Sequence, residues 1–202
     1  MTCEIQTKKT LYNEKALRRL IIFAIVMYIW LLVWALIFKL GDATMLERNY
    51  SNLKNMTLEE RILWDIIPFN YRGTDYWKEK QMIATALNCL VLAPIGASLG
   101  YLLKKATVLK ITAIGFLIAF CFESTQAFTT WGNPATEDLI TNTLGCVIGY
   151  AIYRLLLKRL PLKWNVRLFG LVNILLVLAT IVSVVTMVDS ADLIYKMMTK
   201  TL

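Results

Sequence analysis

The sequence predicts an all-α fold, a polytopic transmembrane helix bundle of about five spans, on three observations. Of the 202 residues 57% are hydrophobic, more than a water-soluble domain of this size carries. The apolar residues fall into five runs, each long enough to cross the roughly 30 Å hydrocarbon core as a helix. Lys and Arg collect in alternate connections, the distribution that fixes helix orientation in a membrane.

The basic segment 1–19 carries Lys8, Lys9, Lys15, Arg18 and Arg19 and precedes the first span, 20–38. That run exceeds the apolar region of about 7–15 residues in a secretory signal, and no small-residue cleavage site follows it, so it is expected to stay attached. The loop 41–80 is too short for an independent domain. Within it, Thr57 and Glu60 have capping-box spacing, and Leu58, Ile62 and Trp64 supply apolar contacts, which predicts an amphipathic helix over 57–65 lying on the outer leaflet. Ile66-Ile67-Pro68-Phe69 follows as a rigid turn, in which Pro68 and Phe69 are read as packing residues. Tyr71, Tyr76 and Trp77 suit the headgroup level, either as a plain aromatic belt or as a recognition platform.

The second span, 82–103, contains Asn88, then Pro94 and Gly96, which are expected to kink the helix or admit a close neighbour. The third, 108–128, carries Glu123 and Gln126 on one face near its end. The fourth, 139–157, begins behind Glu137 and Asp138, with Asn142 one turn beyond Asp138 on the same face. Its Gly145 and Gly149 form a G-x-x-x-G spacing that permits tight helix contact. These four spans and the loop make up a membrane domain at 20–158; 159–202 adds the fifth span, 166–188, and a short outer tail.

Thirteen of the 22 basic residues lie in the N-terminal segment, around 104–110 and at 154–167, all on one face of an odd-numbered bundle. The opposite connection, 129–137, has none, so the N-terminus is expected in the cytoplasm and the C-terminus outside. The net charge of +8 is then a lipid-facing charge: membrane lipids are the expected partners, and nucleic acid is not, because no separate basic domain carries it. With no histidine in the chain, a Ser-His-Asp triad, a Cys-His pair and an H-E-x-x-H zinc site are all excluded. Cys89, Cys121 and Cys146 fall within spans without C-x-x-C spacing, so neither a metal nor another cofactor is expected.

Ionisable groups at membrane depth are costly and are functional candidates by default. Asn88, Glu123, Gln126, Asp138 and Asn142 converge on the outer half, where Lys39, ending the first span, is their natural counterion. Two accounts stay open. Lys39, Glu123 and Asp138 fit a charge network that fixes helix packing, with Asn88 and Asn142 bonding across helices. The same residues also fit an outward-facing pocket for a lipid headgroup, a peptide terminus or a proton, and so many costly groups at one depth favour the pocket. A carboxylate hydrolase using Glu123 and Asp138 is a rival, weakened by the lack of an activated nucleophile, so the reading leans away from an enzyme. A lipid transporter or flippase would need a homo-oligomer, since no inverted repeat is evident.

Asn88 with Pro94-x-Gly96, then Glu123-x-x-Gln126, then Asp138-Leu-Ile-Thr-Asn142-Thr-Leu-Gly145-x-x-x-Gly149-Tyr150 resembles the VanZ-like membrane proteins. Ile67-Pro68-Phe69 and the 30–40 stretch ending Ile37-Phe38-Lys39-Leu40 resemble corresponding elements, so the likeness extends over about 20–153. Two departures stand out: the Arg that many members carry before the Asp block is replaced by Gly132 and Asn133, and a second Asp by Ala135. The resemblance implies a multi-pass protein of the bacterial cytoplasmic membrane, part of the cell envelope, contributing to resistance to teicoplanin and related lipoglycopeptides. The expected mode is recognition of a lipid-linked cell-wall precursor, or of the lipoglycopeptide itself, at the outward-facing pocket.

Overall fold

The structure, a computed structural model, describes residues 2–36, 51–52, 54–61, 66–70, 74–103, 105–129 and 134–200, and their side chains except at 2–12, 36, 58, 61, 77 and 189–200. Six long helices carry the architecture: α1 (Thr2–Leu36), α2 (Asp75–Val91), α3 (Ala93–Leu102), α4 (Val108–Thr129), α5 (Thr136–Leu155) and α6 (Leu162–Lys200). With α2 and α3 counted as one broken rod, they give five helices long and apolar enough to cross a membrane: Asn13–Ala35, Lys78–Leu102, Val108–Thr129, Thr136–Arg159 and Leu162–Val188. The expected all-helical five-span fold is therefore present. The segment at 2–19 is helical too, continuous with the first span.

Burial is inverted relative to a water-soluble protein. Leu117, Ile174 and Val185 are each more than half exposed, whereas Glu123 retains only 2% of its surface. Apolar side chains outside and a carboxylate inside are stable when the surrounding solvent is hydrocarbon. The chain is a multi-pass membrane protein.

The break in the second span has a local cause. Pro94 has no N–H to return to the Leu90 carbonyl, and Leu92 leaves helical geometry at φ −95°, ψ 1°, turning its own N–H to that carbonyl. The Tyr28 hydroxyl of α1 donates to the Val91 carbonyl at 2.8 Å, so a backbone group freed by the break is satisfied by a neighbouring helix. Helical bonding resumes with the Gly96 N–H on the Leu92 carbonyl at 3.0 Å.

α5 is the hub, packed against α2, α3 and α4. Its contact with the broken rod is backbone on backbone. A Cβ at Gly145 would run into the Cys89 carbonyl, one at Gly149 into that of Ala93, and one at Gly96 into that of Cys146. The G-x-x-x-G spacing thus builds a seam that any side chain would wedge open. Leu92, Ile95, Ile111, Ala119, Cys146 and Tyr150 fill the core around it, with Leu32 of α1 at its edge.

A second cluster joins α1 to α6 through Leu17, Ile21, Ala24 and Phe169. Polar bonds stitch this pair along its length. Asn173 Nδ2 donates to the Leu20 carbonyl at 3.0 Å, Trp30 Nε1 to Ser183 Oγ at 2.9 Å, and Trp34 Nε1 to Thr186 Oγ1 at 3.1 Å. Hydrocarbon offers these groups no alternative partner, so they hold the register of the two helices.

Candidate functional site

The acidic residues gather around the N-terminus of α5. Ala135 is its N-cap in extended conformation, φ −132° and ψ 138°, and supplies no capping side chain. Glu123 of α4 takes that role from across the bundle: its Oε2 accepts the Ala135 N–H at 3.1 Å. Glu137 and Asp138 occupy the first turn of the same helix. The positive end of a helix dipole and its unpaired N–H groups favour negative charge, which gives three carboxylates a reason to share one end of the bundle.

Each carboxylate is held by donors from outside its own helix. Asp138 Oδ1 accepts a short hydrogen bond from Asn88 Nδ2 of α2, bridging the glycine seam. Glu137 Oε1 accepts from Thr85 Oγ1 at 3.2 Å, and its Oε2 accepts the Phe69 N–H at 2.9 Å. Glu137 is therefore the tie between the 66–70 turn and the membrane bundle. Phe69 sits in the left-handed region at φ 60°, a conformation uncommon for a bulky side chain, and its N–H is directed at that carboxylate. Among the described residues, no group of three or more His, Cys, Asp or Glu side chains converges closely enough to hold a metal ion, so these acids ring the helix end without forming a cation cage.

Further buried polar side chains surround the carboxylates. Gln126, three residues after Glu123, is 7% exposed, and Thr141 and Asn142 are 4% and 6% exposed. The Thr141 hydroxyl donates back to the Glu137 carbonyl at 2.8 Å. Asn142, one turn below Asp138, carries a buried Oδ1 with no hydrogen-bond partner. A buried acceptor left unpaired costs about 1–3 kcal/mol, so it marks a place where a donor is missing.

Of the residues singled out from sequence, Asn88, Glu123, Gln126, Asp138 and Asn142 stand at this end of the bundle, Gly96, Gly145 and Gly149 form the seam beneath, and Pro94 is exposed at the break in the second span. Lys39, the expected counterion, lies outside the described residues, as do Gly132 and Asn133. Glu137 and Thr85 were not among the expected site residues. The available signal was a second acid in the first turn of a helix, which reads as simple dipole compensation until a partner loop is in view. In the outer loop the capping box forms in both directions: the Thr57 N–H donates to Glu60 Oε2 at 2.7 Å and the Glu60 N–H to Thr57 Oγ1 at 3.3 Å. Its helix spans Leu58–Arg61, and residues 62–65 lie outside the described set.

The seam and its acidic end lie within the span of a family match. The family model VanZ/LLP1 matches residues 23–157, two thirds of the chain. The chain belongs to the VanZ/LLP1 family. A relative named Protein VanZ, from Enterococcus faecium, is 28% identical over 156 residues, covering 77% of this chain and 87% of its own length. No solved structure matches. The VanZ/LLP1 match takes in α2 to α5 and most of the membrane part of α1, and it stops before α6.

Proposed function

We propose that this VanZ/LLP1 protein resides in the bacterial cytoplasmic membrane with its basic end inward, and that its acidic end recognises a lipid-linked envelope component at the outer leaflet. Recognition there contributes to resistance to teicoplanin and related lipoglycopeptides by changing how a lipid-tailed antibiotic reaches its target. The observation that carries this reading is the unpaired, buried Oδ1 of Asn142 beneath Asp138 at a helix end already rich in acceptors. Such an arrangement favours a guest that donates hydrogen bonds, such as the hydroxyls or ammonium of an envelope glycolipid, over a bare phosphate. Orientation rests on the basic residues, which gather at the end where α1, α4 and α6 begin.

The test is susceptibility of a host deleted for this gene and complemented with wild type, Glu123→Ala or Asp138→Ala, each shown to accumulate in the membrane. Loss of protection against glycopeptides with lipid tails, and not against those without, supports the reading; unchanged protection overturns it. Purified protein incubated with labelled lipid intermediates separates recognition from hydrolysis: saturable binding without product is expected, and turnover would transfer the site to carboxylate chemistry.

A further inference from the structure

At the opposite, basic end, an apolar cavity of about 270 Å³ lies where α1, α3 and α6 meet, walled by Ile25, Tyr28, Pro94, Ala97, Phe169 and Val172. Its polar groups are few, the Ser98 side chain and a Tyr28 hydroxyl already committed to the Val91 carbonyl, so it offers a water, which needs two to four partners, little to bind. It exceeds the roughly 150 Å³ apolar cavity that suffices for a benzene-sized guest. Pro94 and Leu168, both on its rim, are exposed, so it opens sideways to the bilayer. An unfilled apolar void forfeits the dispersion contacts of its lining, and the material at this mouth is acyl chain.

The rim specifies the chain's headgroup. Leu157 lines the cavity and leads directly into exposed Lys158 and Arg159, while exposed Arg167 lies two residues from Phe169, its guanidinium 5.3 Å over the Trp164 ring. Asn165, one turn before Phe169 and 4% exposed, donates to the Leu157 carbonyl at 3.2 Å and keeps an unpaired, buried Oδ1. We propose that this cavity seats one acyl chain of an anionic glycerophospholipid, whose phosphate meets Lys158, Arg159 and Arg167. Basic side chains at a membrane face attract anionic headgroups in general; the added element is a built seat for the tail. α6 supplies Phe169 and Val172, α1 and α3 supply most of the remaining wall, and none of the acidic-end residues lines the cavity.

The test reconstitutes the delipidated full chain in nanodiscs of equal phosphatidylglycerol and phosphatidylcholine, re-extracts it gently and counts retained lipid by native mass spectrometry. The expected result is one phosphatidylglycerol per chain, preferred at least tenfold over phosphatidylcholine. Val172→Phe and Ala97→Leu, which fill the cavity, should each lower retention at least tenfold. The triple variant K158Q/R159Q/R167Q should retain a lipid without the preference. Wild type that holds no lipid, filling variants that fold and retain as much as wild type, or a preference that survives the triple variant would each overturn the proposal. If neither filling variant folds, the charge variant, which leaves the wall untouched, decides alone.

Discussion

Replacing Gly149 by alanine should loosen the whole bundle, and the same change at Gly170 should not. A Cβ on Gly149 would lie 2.6 Å from the Ala93 carbonyl carbon and 2.8 Å from its Cα, inside the 3.0 Å that real Cβ atoms do not undercut. Both neighbours are backbone, so no rotamer change relieves the clash, and α5 must retreat from α3. Overpacking a filled interior costs about 1–3 kcal/mol, and a rigid neighbour puts this site at about 2–3 kcal/mol. The retreat also stretches the Asn88–Asp138 bond across the same seam, and interhelical hydrogen bonds in membranes are worth about 0.6 kcal/mol on average. The total is about 3 kcal/mol, a change of roughly 150-fold in the unfolding constant at about 1.4 kcal/mol per decade. At Gly170 nothing lies within 4 Å of the added Cβ, and alanine's better helix propensity gains up to about 1 kcal/mol. The assay is reversible unfolding of both variants in mixed micelles as denaturing detergent is titrated in. Equal midpoints for Gly149→Ala and Gly170→Ala would refute the close-packed seam.

Three further outcomes are expected. Trp30→Phe and Ser183→Ala should each destabilise by about 1 kcal/mol, and a double-mutant cycle should recover a coupling near the membrane average of about 0.6 kcal/mol; a coupling of zero would break the α1–α6 stitch. Glu137→Ala removes the acceptor of the Phe69 N–H, so hydrogen exchange at that amide should quicken by about tenfold, the equivalent of one modest exposed bond, while amides within α5 stay protected; unchanged exchange would detach the turn from the bundle. The Thr57 N–H and then its hydroxyl hold the Glu60 carboxyl below its usual 4.5, so the capped turn gains stability above that value and loses it as pH falls through the depressed one. The Thr57 amide shift should titrate with a midpoint under 4.5, and a midpoint at or above it would remove the capping box as the cause.

The spans were legible because membrane insertion is a one-dimensional requirement: length and hydropathy decide it, and both are written along the chain. The capping box at Thr57 and Glu60 was legible for a related reason, since both partners lie within one turn. Pro94 announced the break, but the relief of the Val91 carbonyl by Tyr28 depends on a helix more than sixty residues away. The acids were visible individually; their arrangement around the N-terminus of α5 was not, because Glu123 reaches Ala135 across a connection and Asp138 reaches Asn88 across a seam.

By itself the sequence determined that this chain is a five-span membrane bundle with one basic end, and that costly polar groups collect toward the other. Tertiary structure alone decided which glycines touch backbone, which acid ties down the Phe69 turn, and that the carboxylates are compensated by a helix end and amide donors. Hydropathy and turn chemistry act locally, so they can be read in order along the chain. A hydrogen bond or a steric contact between helices exists only once their neighbours and rotations are set, and no single segment encodes those.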